Sequence, residues 1–432
     1  MRAAHRRDFL KTAALAASGY WVAGGASARA QSRSPNEKLN IGIIGVANRG
    51  AANMGAVSSE NIVALCDIDE KYLAQAASKH PKARTYRDWQ KLLDTNKEIE
   101  AVVISTTDHT HASASVMAMR LGKHVYCEKP LAHDVYEARV VGDTYRKSKV
   151  ATQMGTQIHA TENYRRVVEL VQSGAIGPVR EAHVWCGRVS GEGKRPTEMP
   201  PVPPHIDWDL WLGPAPDRPY HPVYMPGNLT WNRWWDFGNG TLGDMGSHLI
   251  DLPYWALELK HPTSVEAEGP PVDSEINPAW MIVRWDHPAR GKRPAVKVSW
   301  YHGGKRPNSP EGVDLAKWFN GILFIGDEGM LLADYDRRVL LPEKKFKDFD
   351  PPKPTIAKSL GHYQEWIHAC KTGAETLCNF DYSGALVEHN LLGNAAFRVG
   401  KKLEWNAEKL EATNCPDAEE FVRRPYRKGW TL

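Results

Sequence analysis

The sequence predicts an α/β protein. An N-terminal Rossmann dinucleotide-binding domain is followed by a C-terminal α/β domain on an open, mostly antiparallel or mixed sheet. Three observations predict it. Leu39-Asn40-Ile41-Gly42-Ile43-Ile44-Gly45 is a short apolar run that ends in a glycine-bearing turn, as a strand buried on both faces does. A second such run, Ile62–Cys66, ends at Asp67, 22 residues beyond Gly45. Apolar and alternating runs then recur between 278 and 341, at Trp280–Trp285, Ala295–Trp300 and Gly321–Ile325. A chain of 432 residues exceeds what one core organises, so two domains are expected.

Ahead of the first strand stands Arg6-Arg7-Asp8-Phe9-Leu10-Lys11, followed by an alanine-rich apolar run from Thr12 to Gly25 and the small-x-small triplet Ala28-Arg29-Ala30. Residues 1–30 read as a twin-arginine export signal, which places the mature protein in the periplasm or outside the cell. Such signals serve proteins that fold, often around a cofactor, before they cross the membrane. The competing reading is a membrane anchor, but a span needs roughly 20 strongly apolar residues and no stretch of the chain supplies them. His5 departs from the Ser or Thr usual before the arginines.

The leader carries five basic residues (Arg2, Arg6, Arg7, Lys11, Arg29) and one acid, Asp8, of 55 basic and 51 acidic in the whole chain. Without it the chain balances to zero, so charge gives no support for nucleic acid or anionic lipid as partner. Six scattered cysteines form no CxxC or metal-ligand spacing, and no metal is expected. Cys370 and Cys378 could pair in an oxidising compartment, whereas folding in the reducing cytoplasm opposes this.

In the first domain, 38–155, the turn Gly45-Val46-Ala47-Asn48-Arg49-Gly50 leads into small residues suited to a close-packed helix. Gly45, Ala47, Asn48, Arg49 and Gly50 are therefore candidates to hold a pyrophosphate at a helix N-terminus, where free N–H groups and the dipole favour an anion. Asp67 is placed to accept hydrogen bonds from a ribose. Asp69 beside it repels a 2′-phosphate, which favours NAD over NADP. With Ala47 in the middle position the fingerprint is GxAxxG, and a turn that binds no nucleotide is the competing reading. The order strand, turn, helix, strand, acid argues against that reading. The next strand, Ala101–Ser105, runs into Thr106-Thr107-Asp108-His109-Thr110-His111. Strand C-termini line the cofactor crevice, so Thr106, Thr107, His109 and His111 are candidates to face the dinucleotide. A helix is expected from about Ala112 to Leu121, then a strand leading to Glu128-Lys129-Pro130.

Thr106–His111 followed by Gly122-Lys123-His124-Val125-Tyr126-Cys127-Glu128-Lys129-Pro130-Leu131-Ala132 resembles the Gfo/Idh/MocA family of NAD(P)-dependent oxidoreductases. The resemblance runs from about 38 to 400, and Glu-Lys-Pro is its most specific motif. It departs at Ala47 and at Thr107, where a proline is common. It implies that Glu128 and Gln157 lie near the cofactor and that Lys129, Asp244 and His248 fall on the catalytic positions. It also implies a homo-oligomer, through the outer face of the second sheet.

In the second domain, 156–400, an amphipathic helix is expected over Thr161–Ser173, stopped at Gly174–Gly177, and alternation at Val179, Glu181, His183 and Trp185 opens the sheet. The Pro/Gly-rich stretch 190–228 reads as a long arm. Asp244 and His248 are spaced i, i+4 and share a face on a helix starting near Leu242. Oxidation of an alcohol needs a proton acceptor and a group that stabilises the developing alkoxide. A lysine of lowered pKa (Lys129) and a histidine near neutrality (His248), tuned by Asp244, suit those tasks. Taken alone, the pair also reads as a helix cap and an interior histidine. Six of the sixteen tryptophans fall between 205 and 255 and are mostly core or interface residues by type. Trp231, Arg233 and Tyr224 are assigned to substrate, with Arg188 and His302 as weaker candidates. Helices are expected at about 360–371 and 383–399, and a polar tail, 401–432, that wraps a neighbouring subunit.

These residues lead to an exported NAD-dependent oxidoreductase acting on a secondary hydroxyl of a small sugar, glycoside or cyclitol. Free NAD is scarce outside the cytoplasm, so a retained and internally recycled cofactor is expected. A second reading is an NAD-dependent glycosidase that works by transient oxidation, elimination, water addition and re-reduction. A third is a sugar-binding protein with a relic cofactor fold.

Overall fold

The structure is a computed structural model that describes residues 37–189, 193–225 and 229–432. The segment read as an export signal, residues 1–30, lies outside the described residues. Six strands form the first sheet: β1 (Asn40–Ile44), β2 (Asn61–Cys66), β3 (Arg84–Tyr86), β4 (Ala101–Ile104), β5 (His124–Cys127) and β6 (Thr152–Met154). Their order is β3-β2-β1-β4-β5-β6 and every pairing is parallel, the doubly wound arrangement in which strand order reverses between β1 and β4.

The apolar runs bury both faces, which explains why they lack alternation. Ile41, Ile43, Leu65 and Val103 pack with helices Arg49–Ala56 and Glu70–Lys79, while Ile44, Val102, Ile104 and Val125 pack on the other side. The first of those faces is completed from far along the chain. Trp366, Ile367 and Cys370 of helix His362–Thr372 join it, so the sequence after 156 returns to the first sheet. The helix expected from Ala112 starts earlier, at Asp108, with Thr107 extended before it, so Asp108–His111 form its first turn rather than a loop.

The second sheet has nine strands: β7 (Val179–Cys186), β8 (Ser264–Glu268), β9 (Met281–His287), β10 (Val296–His302), β11 (Asn320–Gly326), β12 (Met330–Ala333), β13 (Arg338–Leu341), β14 (Leu403–Asn406) and β15 (Glu411–Ala412). They run in the order β13-β12-β11-β7-β10-β9-β8-β14-β15, antiparallel except that β10 pairs parallel with β7. One face packs under helices Gly240–Leu249 and Phe380–Val399. The longer of these is capped by Asn379, whose side chain accepts from Asp381 and Tyr382 N–H, and stopped by Gly400 in the left-handed region. Arg139 grips Glu388 with two hydrogen bonds of 2.8 and 2.9 Å and so ties helix Val135–Ser148 to it.

The tail packs onto its own chain. Glu137, buried in the first domain, needs cationic and hydroxyl donors, and the tail supplies them: Arg424 at 2.8 Å and Tyr426 at 2.7 Å. Cys370 and Cys378 are both buried free thiols. No helix among the described residues is long and apolar enough to cross a membrane, and none of them group as three or more His, Cys, Asp or Glu side chains able to hold a metal ion.

Candidate active site

The β1–α turn is closed by contact. Gly45 has φ +84° and a Cβ there would stand 2.6 Å from the Ser105 carbonyl oxygen; one at Gly50 would stand 2.0 Å from the Gly45 carbonyl oxygen. Only glycine permits both approaches. The turn holds the carboxylate of Asp67 beside it: Val46 N–H donates to one oxygen and Asp69 N–H to the other, each at 3.0 Å. Burial pushes this carboxyl up while those two donors hold it down.

A cavity of about 490 Å³ runs from here across both domains. Gly45, Ala47, Asn48, Arg49 and Asp67 line one end, Thr106, Thr107, His111, Glu128 and Lys129 the middle, and Gln157, Tyr224, Trp231 and His248 the side contributed by later sequence. The glycine contacts, the turn and the ribose-type carboxylate fit a dinucleotide along this cavity.

The structure thus brings most of the sequence candidates to one cleft; Gly50, Asp244 and Arg188 are off its wall but reach it through Gly45 and Lys129, and three others stand apart. His109 is fully buried between the carbonyl oxygens of Trp211 at 2.9 Å and Phe237 at 3.2 Å, and it joins the domains rather than facing the cleft. Burial and the nearby Arg424 push it down to about 3. Arg233 and His302 are also absent from the cavity wall. His302 is buried and accepts the indole N–H of Trp300 at 2.9 Å. His111 bridges the carbonyls of Pro130 (2.7 Å) and Thr106 (3.2 Å), tying the two strand ends that form the cavity's middle.

Glu128 is occupied by the protein itself. Its Oε1 accepts from Arg49 Nε at 2.9 Å and from Asn53 and Gln157 side-chain amides at 3.0 Å each. It therefore fixes the phosphate-side helix to the end of β5. Sequence reasoning missed two members of this hub. Asn53 sits in the small-residue helix, and Tyr363, which donates to Asn53 at 2.6 Å, accepts from Arg49 at 3.1 Å and stacks on Tyr126 at 5.2 Å. Asp108 is a third omission. It lies on the cavity wall, buried, close enough to Lys129 and Asp244 to feel both charges.

At the centre, the Lys129 ammonium donates to one oxygen of Asp244, and Arg188 donates to the other at 2.6 Å. Asn232 positions the aspartate's helix: its side-chain oxygen accepts from Asn239 and Gly240 N–H at 3.0 Å each, with Trp231 the neighbouring residue. Burial pulls the Lys129 ammonium down, but Asp244, Glu128 and Asp108 outweigh it, so its pKa stands above the usual value. This corrects the expected lowered lysine. Asp244 is held below the usual carboxylate range, burial being outweighed by Lys129 and Arg188. His248 is pushed down to about 3 by burial and then by Lys129, rather than lying near neutrality.

Its tautomer follows from Thr156. That hydroxyl gives its proton to the Ser247 carbonyl at 3.0 Å and so offers a lone pair to His248 Nδ1 at 3.3 Å. Nδ1 then carries the hydrogen and Nε2 is the acceptor.

Fold and site define an α/β oxidoreductase scaffold with a dinucleotide cleft between two domains. The chain belongs to the Gfo/Idh/MocA family. Residues 39–156 match the model of the oxidoreductase family with an NAD-binding Rossmann fold, and residues 163–291 match that of its C-terminal alpha/beta domain. It is 30% identical over 151 residues to inositol 2-dehydrogenase of Salmonella typhimurium, covering 34% of this chain and 45% of that protein. It is 32% identical over 201 residues to a glycosyl hydrolase family 109 protein of Solibacter usitatus, covering 40% and 43%. These matches span less than half the length of either relative. Among solved structures it is similar to the WlbA dehydrogenase from Bordetella pertussis in complex with NADH and UDP-GlcNAcA, with TM-score 0.60 and 16% identity over 86% of this chain and 99% of that one.

Proposed function

We propose that the protein is an exported, NAD-dependent oxidoreductase that acts on a secondary hydroxyl of a sugar, glycoside or cyclitol and keeps its cofactor between turnovers. The observation that carries this reading is the Lys129–Asp244–Arg188 chain beside the neutral His248, at the point where the dinucleotide cavity meets Trp231. The bound nicotinamide supplies the hydride acceptor. Lys129, kept charged by Asp244, donates to the substrate oxygen and stabilises the negative charge that develops there. The hydroxyl proton passes to His248 Nε2; burial and Lys129 disfavour the protonated ring, and Asp244 only partly offsets them, so the ring is set to pass the proton on. Trp231, half-buried on the cavity wall, offers an aromatic face to the apolar side of a sugar ring, while Tyr224 is buried behind it in an aromatic cluster. Export and cofactor retention follow from the leader at 1–30, since free NAD is scarce outside the cytoplasm.

The similarity to a family 109 glycosyl hydrolase favours a second reading with the same residues. Oxidation of a ring hydroxyl acidifies the neighbouring C–H. This permits loss of the glycosidic substituent, addition of water and return of the hydride, outside the two-carboxylate scheme. The two are separated by whether a glycoside is cleaved without net NADH.

The test is to purify the mature protein natively, denature it, identify the released nucleotide, and screen sugars, cyclitols and glycosides. Released NAD and a substrate-dependent nicotinamide absorbance change are expected. No nucleotide and no binding of added NAD would contradict the proposal.

A further inference from the structure

We infer that residues 205–214 and the tail residues 424–430 form a two-part latch at the adenosine end of the cleft, and that this latch governs cofactor release. The inference rests on the dinucleotide reading of that cleft.

The ribose-side corner is the end of β2 with Asp67, Ile68 and Asp69. A segment of the second domain crosses it as an antiparallel bridge, Asp69 to Ile206. Two main-chain hydrogen bonds flank that bridge: Glu70 N–H to His205 carbonyl at 2.9 Å, and Asp207 N–H to Ile68 carbonyl at 3.1 Å. Ile68 and Ile206 pack against one aromatic cluster containing Trp208, Trp211, Tyr224 and Phe237. As a result Leu210 and Trp211 share a cavity wall with Asp67 and Tyr72.

The tail pins this segment from outside. Arg427 donates to the carbonyls of Asp209 (2.8 Å) and Gly213 (3.1 Å) and to the carboxylates of Asp209 and Asp217 (3.0 Å to the latter), while its own N–H donates to the Pro214 carbonyl at 3.1 Å. Trp430 adds a ring contact, 6.0 Å between centroids, with Trp89, itself a cavity residue. Both pieces make their bonds between distant parts of the chain. A nucleotide seated against Asp67 thus lies beside a cross-domain bridge that the tail reinforces, and its release is coupled to that bridge. Arg427 and Trp430 belong to the latch, not the chemistry, and act as positioning residues.

The test measures NAD release from the loaded full-length mature protein after dilution, followed by nucleotide retained on gel filtration over time. Arg427→Ala removes several charge-assisted bonds and is expected to release NAD on the order of tenfold faster than the parent. Asp209→Asn with Asp217→Asn loosens the same pin from exposed partners, and a faster release is expected there as well. It decides the matter should Arg427→Ala fail to fold. Arg180→Ala, which breaks an exposed pair with Asp327 elsewhere, serves as the control and is expected to match the parent. Release at the parental rate from the folded Asp209/Asp217 variant overturns the latch while leaving the dinucleotide site standing. Failure of the parent to bind NAD at all overturns both.

Discussion

Lys129 and Asp244 meet side chain to side chain across the cleft, the lysine from the end of β5 and the aspartate from helix Gly240–Leu249. Neither domain holds the pair alone, so the charge state of the site depends on how the two domains meet. Replacing Lys129 with Ala, or Asp244 with Asn, is expected to slow hydride transfer by roughly 10²- to 10⁴-fold. Bound nucleotide should stay near the parental level. Single-turnover absorbance and nucleotide content, measured together, check this; parental turnover in Lys129→Ala would remove the lysine from the chemistry.

The buried histidines make stability fall with acid. His109, His248 and His362 are pushed to about 3, and His302 and His389 to about 4, in each case by burial first. In the unfolded chain they titrate at about 6.5, so between that value and about 4 the unfolded state binds more protons. Each then removes up to about 1.4 kcal/mol per pH unit as the pH drops. Thermal unfolding between pH 8 and pH 5 should show Tm level above 7 and falling steeply below 6. A flat profile would mean that these rings are hydrated in solution.

Arg424 is the tail's structural anchor. It donates to Glu137 at 2.8 Å and to the His109 carbonyl at 3.0 Å, and its side chain is largely buried. Arg424→Ala leaves Glu137 buried without its cation and should cost about 3–5 kcal/mol in urea unfolding. A loss below 1 kcal/mol would mean that Tyr426 suffices.

On the proposed reading, Asp67 sets cofactor choice. Asp67→Asn keeps an acceptor for one backbone N–H but removes the charge, so NAD affinity should fall roughly tenfold and the preference over NADP should narrow. Calorimetric titration with both nucleotides reads this directly; an unchanged ratio would assign the discrimination elsewhere, with Arg87 and Asp69 the next residues on that wall.

Much of the cleft is legible in sequence because it is built from local grammar. Gly45, Gly50 and Asp67 follow from strand-turn-strand spacing, and Glu128-Lys129-Pro130 and the Asp244/His248 step stand in recognisable motifs. What escaped depends on long-range geometry. His109 reads like a cleft residue beside Thr106, and only the carbonyls of Trp211 and Phe237, over 100 residues away, turn it into a domain joint. Tyr363 gives no local sign of reaching Asn53, 310 residues earlier. The lysine's direction of shift needed the carboxylates of Asp244, Glu128 and Asp108 in three dimensions, since burial alone points the other way. A polar tail gives no local sign that Arg424 and Tyr426 reach Glu137, nearly 290 residues earlier.

The most direct measurement is single-turnover reduction of the nicotinamide in natively purified, NAD-loaded protein mixed with a panel of sugars, cyclitols and glycosides, run in parallel on parent and Lys129→Ala. A substrate-dependent nicotinamide signal in the parent, lost in a Lys129→Ala protein that still carries NAD, is the predicted result. A parent that binds no NAD, or a Lys129→Ala protein that gives the parental signal, would contradict it.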